Sequence, residues 1–472
     1  MALTPRLFDW LGDGLGFGAR RLLLAAAILL PPQIAAAQAW PETLQGHGGP
    51  VKSVAVDASG DRLLSTSFDY AALVWDKAAG EGALADPLRL VGHDAAVNHG
   101  AFLSGNRAVT VGDDSALILW DLTSGTILHR ADGAGEKVLG LAVSADERYV
   151  AVASWANEAR LYQLEPDRLI LRHRLTQHRN NVNAVAFSAD GGILYTASYD
   201  GGIRAFDTQS GSFLREIANL GWGVNVIEVL PGGGRLLFGV TDGKLGVLDT
   251  ESGQEVKILP PHSRPVLSLA LSADGQRAAS GGGDGLIRVF ATDGFELLEE
   301  FENPYGPVWG LAFTAQADSL FYVGLDDEVH VWQVAPRKPF EPVLGTFPRR
   351  FQVAETDDPG ALQFARKCSV CHTLTPDDAN RAGPTLYGVF GRKAGTVPGY
   401  PYSNALKDLD LVWTAQTISD LFDLGPDVVT PGSKMPIQRL KSVEDRDALV
   451  AYLEKATDPD AHGGPRNNTK GD

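Results

Sequence analysis

A chain of 472 residues, 44% hydrophobic and 21% charged, can bury two to four domain cores and falls outside the disordered class. Its formal charge of -17 repels nucleic-acid phosphate and anionic lipid, which excludes nucleic acid as the main partner. Its only two cysteines, Cys368 and Cys371, exclude a disulfide scaffold, because a bridge between them would close a trivially small loop.

Residues 1–39 read as an export signal. Arg20 and Arg21 precede LLLAAAILL, Pro31 and Pro32 stop that run, and AQA ending at Ala39 offers a small-residue cleavage site. The apolar run falls well short of the roughly 20 residues that span a bilayer. A cleaved signal, a periplasmic location and no remaining transmembrane anchor are therefore expected.

Residues 40–335 are dominated by self-similarity. Segments LVWD, LILW, ARLY, IRAF, LGVL, IRVF and VHVW end at Trp75, Trp120, Tyr162, Phe206, Leu248, Phe290 and Trp332, in steps of 45, 42, 44, 42, 42 and 42 residues. That period predicts seven four-stranded propeller blades. Six residues before each mark lie Asp69, Asp114, Asp200, Asp242, Asp284 and Asp326, with Ala156 in the third repeat, as expected for a carboxylate bonding the backbone of a tight turn. His47, His93, His178 and His262 stand about 22 residues upstream of their aspartates. With these residues the region resembles the WD-repeat family, which implies a buried His, Ser/Thr, Trp and Asp network in each blade. The third, fifth and seventh repeats lack the upstream histidine. PETLQ, ahead of Gly46, is the expected closing strand beside VHVWQV, since an open ring would expose an unpaired edge.

Residues 336–357 read as a proline-rich linker, either extended or lying along the propeller wall. Asp358 before Pro359 signals a helix start, and Ser442 with Asp445 resembles a capping box ahead of a last helix. Residues 458–472 read as a disordered tail.

Between those helices lies CSVCH, residues 368–372: two thiols spaced for the haem vinyl groups and an imidazole behind them. A structural zinc site would want three or four Cys or His ligands. Met435 is the one methionine beyond Met1, and it stands in the loop TPGSKMP. Residues 358–457 resemble the class I cytochrome c family of the mitochondrial and purple-bacterial type through KCSVCHT, GPTLYGVFGRKAG, PGYPYSNAL, Trp413, PGSKMP and LVAYLEKAT. The resemblance implies one covalently attached haem c, thioether bonds from Cys368 and Cys371, and iron ligation by His372 and Met435. It implies that the Pro384 carbonyl accepts from the His372 ring. Tyr402, Trp413 and Ser433 would bond the haem propionates, with Arg392 offsetting their charge. Gly360 and Phe364 would pack against Leu449 and Tyr452. Phe422 departs from the family, which usually has a tyrosine there.

The fold expected is thus an all-β seven-bladed propeller followed by an all-α cytochrome c fold. The function expected is an exported mono-haem electron carrier, not a catalyst, whose propeller docks a redox partner protein. Lys367, Arg392, Lys393 and Lys434 would face a partner acidic near the haem edge. The alternative is a periplasmic oxidoreductase with its active site in the propeller channel, passing electrons out through the cytochrome. His99, His129, His173 and His330 are scattered, and form no recognisable ligand cluster. A scaffold with the cytochrome as redox sensor is a third reading.

Overall fold

The computed structural model describes residues 40–77, 84–131, 135–336, 357–369, 371–376, 383–400, 402–431, 433, 435 and 438–459. The expected signal, most of the linker, Lys434 and nearly all of the tail lie outside the described residues.

Seven valines head the inner strands of seven four-stranded antiparallel sheets: Val51, Val97, Val138, Val182, Val224, Val266 and Val308, each 0 or 1% exposed. These strands are Val51–Val56, Val97–Leu103, Val138–Val143, Val182–Phe187, Val224–Val229, Val266–Leu271 and Val308–Phe313. In every one the pairing register slips immediately after the valine, from Val51 to Ser53 in blade one through Val308 to Gly310 in blade seven. A bulge at a constant position bends each strand and increases its twist, so all seven blades share one curvature. Branched aliphatic side chains on both faces then pack blade against blade.

The ring closes as the edge argument expects. Thr43–Gln45 pairs antiparallel with Glu328–Gln333, placing Leu44 opposite Val329, so the first strand completes the seventh sheet.

In blade one the polar network runs from His47 Nδ1, which donates to Asp69 at 3.0 Å, through His47 Nε2 and Ser65 Oγ at 2.8 Å, to Trp75 Nε1, which donates to Ser65 at 2.9 Å. Blade two repeats it with His93, Asp114, Thr110 and Trp120. Blades four and six keep the histidine, aspartate and hydroxyl but carry Phe206 and Phe290 in place of tryptophan. Two of the repeats without an upstream histidine solve the problem differently. In blade seven, His330 reaches back from the next strand to Asp326 at 2.5 Å and stacks between Tyr305 and Tyr322. In blade three, where the turn aspartate is missing, Glu158 is held by Arg160 and Arg174.

The C-terminal unit is helical: α1 (Pro359–Lys367), α2 (Asn404–Lys407), α3 (Ala415–Leu424), α4 (Pro426–Val429) and α5 (Val443–Ala456). Asp358 caps α1, accepting from Gly360 N at 2.8 Å and Ala361 N at 3.2 Å, with Pro359 in the first turn. Ser442 caps α5 by accepting from Asp445 N at 3.1 Å. The reciprocal arm of a capping box is not what Asp445 supplies: its carboxylate accepts from Gln363 Nε2 at 2.9 Å and ties α5 to α1. The two helices touch where Gly360 leaves no room for a side chain; a Cβ there would lie 2.1 Å from the Ala448 carbonyl oxygen. Phe364 packs against Tyr452, with ring centroids 5.9 Å apart, and joins Leu449 in the core. Among the described residues no helix is long and apolar enough to cross a membrane.

Candidate functional site

The C-terminal core encloses a mostly apolar cavity of about 1140 Å³, open mouth included, which is the size of a cofactor site. Its walls come from four pieces of local structure.

The first wall is the end of α1. Cys368 caps the helix, and the chain turns back on itself: Cys371 N and His372 N both donate to the Cys368 carbonyl, at 3.1 and 2.9 Å. That turn brings both thiols and the imidazole to one cavity. Burial pushes the Cys368 thiol up to about 12 and the Cys371 thiol up to about 11. Both are therefore thiols at neutral pH, not exchange nucleophiles of the thioredoxin kind.

The second wall orients the imidazole. His372 Nδ1 donates to the Pro384 carbonyl at 2.7 Å, which leaves the Nε2 lone pair as the one suited to a metal. Gly383 sits flat against the ring: a Cβ there would stand 2.5 Å from His372 Cε1. Gly383 opens a motif quoted from the sequence, yet its role depends on a face-to-face approach that spacing does not reveal.

The third wall is α3. A reciprocal cap, with Thr414 accepting from Thr417 N at 3.2 Å and Thr417 accepting from Thr414 N at 2.8 Å, starts the helix. Ile418, Leu421 and Phe422 then share its buried face and line the cavity. Leu440 N donates to the Phe422 carbonyl at 2.9 Å, pinning the far end of the loop that carries Ser433 and Met435, both of which line the cavity.

The fourth wall is a short antiparallel pairing. Trp413 N donates to the Arg392 carbonyl at 2.9 Å, and Gly391 N donates to the Trp413 carbonyl at 2.8 Å. This brings Arg392, Trp413 and Tyr402 to the same space. The Arg392 guanidinium donates to the Tyr387 and Thr385 carbonyls, at 2.8 and 2.7 Å, and among the described residues pairs with no carboxylate. Burial lowers its pKa, with Tyr402 opposing. A half-buried cation of this kind suits an anionic group inside the cavity.

The nine residues singled out from the sequence, Cys368, Cys371, His372, Pro384, Arg392, Tyr402, Trp413, Ser433 and Met435, all border this one space. Three of the four proposed partner-facing cations lie among the described residues, and Lys434 does not. Arg392 turns inward, Lys393 pairs with Asp410 at 3.3 Å, and Lys367 stands at the cavity. The sequence reading missed Tyr400 and, from the propeller, Tyr70, which also line it. An aromatic residue following Asp69, where blades four, five and six read Asp-Gly, is the signal that marks Tyr70.

A second cavity, about 1370 Å³, is bordered by residues of all seven inner strands, among them Lys52, His99, Asn183 and Glu228. Burial raises Glu228 to about 7, lowers His99 to about 4 and lowers Lys52. The other histidines are elsewhere: His129 on an outer strand, His173 bonded to the Gln209 carbonyl, and His330 on the strand Glu328–Gln333, bonded to Asp326 of the blade-seven turn.

Two family models match the chain. The WD domain, G-beta repeat, matches residues 41–76, 170–207 and 253–290, and Cytochrome c matches residues 358–457. Cytochrome c of Sesamum indicum is 43% identical over 98 residues, 21% of this chain and 87% of that protein. Cytochrome c of Gibberella zeae is 40% identical over 98 residues, 21% of this chain and 92% of that protein. Cytochrome c type-1 of Ascaris suum is 38% identical over 105 residues, 22% and 92% respectively. Cavity, thiol pair and oriented imidazole agree with these matches, and the chain belongs to the cytochrome c family, its cytochrome unit joined to a seven-bladed WD-repeat propeller.

Proposed function

We propose that this protein is an exported c-type cytochrome that carries one haem and transfers single electrons, with the propeller as the docking platform for a redox partner protein. The observation that carries this reading is the 2.7 Å bond from His372 Nδ1 to the Pro384 carbonyl, which fixes the imidazole in a cavity that also holds two thiols and Met435. When bound, haem held by an imidazole and a thioether supplies reversible one-electron chemistry at raised potential. The chain's own part is to anchor the ring through Cys368 and Cys371, ligate through His372 and Met435, and exclude water with Ile418, Leu421 and Phe422. Arg392, Tyr402, Trp413 and Ser433 would receive the propionates.

The docking role draws support from the rim of the propeller. The outermost strands of six blades each expose one or two large apolar side chains: Val91, Ile127 and Leu128, Leu171, Phe213 and Leu214, Val256 and Ile258, Leu297 and Leu298.

The experiment is expression beside a haem-attachment apparatus, followed by fractionation and spectroscopy. The wild-type protein is expected in the periplasm, with one haem per chain that survives acid denaturation. Cys368→Ala with Cys371→Ala removes that haem, and Met435→Ala keeps it but loses the sulfur-to-iron band at the red end of the spectrum. Haem retained by the double variant, or a band unchanged without Met435, overturns the ligand assignment. Cytosolic haem protein overturns export.

The seven-strand channel, with its shifted Glu228 and His99, favours one second reading: an oxidoreductase whose substrate enters the propeller. Turnover of candidate donors, abolished by Glu228→Gln, would establish it; identical donor oxidation by both proteins would remove it.

A further inference from the structure

The turn between Arg62–Ser67 and Ala71–Asp76 of blade one places Tyr70 at φ +67°, in the left-handed region. The corresponding residues are Ser115, Asn157, Gly201, Gly243 and Gly285, all with positive φ. Five blades therefore use glycine or a small polar residue there, and blade one alone among these six uses a large ring. A bulky side chain in this region costs about 1 kcal/mol or more. The tyrosine is thus kept against a backbone preference that the sister blades respect.

The turn is rigid enough to aim that ring. Asp69 accepts from His47, from Gly48 N at 2.9 Å, from Arg89 at 2.9 Å and from Ala71 N at 3.0 Å. Phe68 N donates to the Pro50 carbonyl at 2.9 Å. The side chain projected from this base borders the cytochrome cavity beside Cys371 and Tyr400. Burial raises the Tyr70 phenol, with the Cys371 thiol adding to it, and burial followed by Tyr70 raises the Tyr400 phenol. All three groups line the same cavity.

We propose that Tyr70 is a haem-contact residue supplied by the propeller, its ring closing the mouth of the cavity at the Cys371 side and keeping water from that edge of the cofactor. This rests on the haem reading above. Dry surroundings disfavour the more highly charged ferric state, so the covered edge holds the reduction potential up and slows electron exchange with small reagents. The propeller is then part of the redox site as well as a platform beside it.

The test uses holo-protein of the full chain as wild type, Tyr70→Phe and Tyr70→Gly. Glycine is what blades four to six carry, and it removes the left-handed strain, so the variant folds. Tyr70→Gly is expected to show a lower midpoint potential and several-fold faster reduction by hexaammineruthenium(II), with Tyr70→Phe close to wild type. A Tyr70→Gly protein with wild-type midpoint and rate overturns the proposal, and so does a Tyr70→Phe protein displaced as far as Tyr70→Gly, because the ring would not be the shield. Covalent haem is measured first in wild type: its absence defeats the haem reading itself, whereas haem present with a silent Tyr70→Gly defeats only this inference.

Discussion

The propeller and the cytochrome unit answer the same problem, how to satisfy polar groups inside an apolar fold, in opposite ways. The propeller repeats its answer from blade to blade and varies it. His47 bonds Asp69 from upstream, His330 bonds Asp326 from downstream, and Glu158 with Arg160 and Arg174 replaces the arrangement altogether. The cytochrome unit answers once, with His372 on the Pro384 carbonyl and Arg392 on two further carbonyls. Repetition lets one blade drift while its neighbours hold the ring, and a single-copy site has no neighbour to lean on. Substitutions should therefore cost more in the cytochrome unit than chemically comparable ones in the blades.

The largest expected effect is at the α1 and α5 crossing. Gly360→Ala adds a methyl that must fit where the Ala448 oxygen already stands, 2.1 Å away, with Tyr452 Cβ at 2.5 Å. Alanine gains about 1 kcal/mol of helix propensity over glycine. Overpacking against backbone costs about 3 kcal/mol or more, so the clash wins. Thermal unfolding followed at the haem band should drop by many degrees while the propeller transition stays. Equal stability of variant and wild type would mean the helices can separate freely.

Next comes the pH response of the blades. Burial and the Arg204 guanidinium beside it push His178 down to about 4, so Asp200 has Arg204 as its ionic partner and the imidazole as a hydrogen-bond donor. The folded state resists protonation that the unfolded chain accepts near 6.5. The stability His178 contributes is therefore complete above pH 6.5 and is lost as pH falls toward 4, by about 3 kcal/mol. His262 is lowered too, by burial first, and acts in the same direction. Glu228 opposes them: raised to about 7, it adds stability at low pH that is lost as pH rises through 7. Denaturant unfolding of the wild type and His178→Gln between pH 6.5 and 5 isolates the histidine, and the variant should have lost part of the acid-side decline. Parallel curves would show that the imidazole is protonated in the fold.

How much of this was legible follows the same division. A repeat writes itself into the sequence many times, so the period, the Asp69-to-Asp326 register and the closing strand Thr43–Gln45 could be read directly. Cys368, Cys371 and Met435, which share one cavity, stood out because their chemistry is rare: two cysteines in the whole chain and Met435 alone beyond Met1. What stayed hidden depends on approach in space. The bulge after each inner-strand valine leaves no mark in the hydrophobic pattern. His330 lies after its aspartate, outside the spacing its counterparts define. Gly383 and Tyr70 matter through the faces they meet, one flat on an imidazole and the other brought from some 300 residues away in sequence.

The smallest effect tests the redundancy claim itself. Trp75→Phe turns blade one into a copy of blades four and six, which already work with Phe206 and Phe290 at that register. The indole N–H bond to Ser65 is lost, worth about 1 kcal/mol. Ser65 is not orphaned, because His47 Nε2 remains 2.8 Å away, just as His262 Nε2 stands 2.9 Å from Ser280. Gly46 abuts the outer ring of Trp75, its Cβ position 2.9 Å from Cη2, so the shorter phenyl also leaves a small gap. The sum is a loss of about 1–2 kcal/mol in the propeller transition. A loss as large as that from Gly360→Ala would mean that blade one is not interchangeable with its sisters, and that the turn bearing Tyr70 depends on tryptophan for its position.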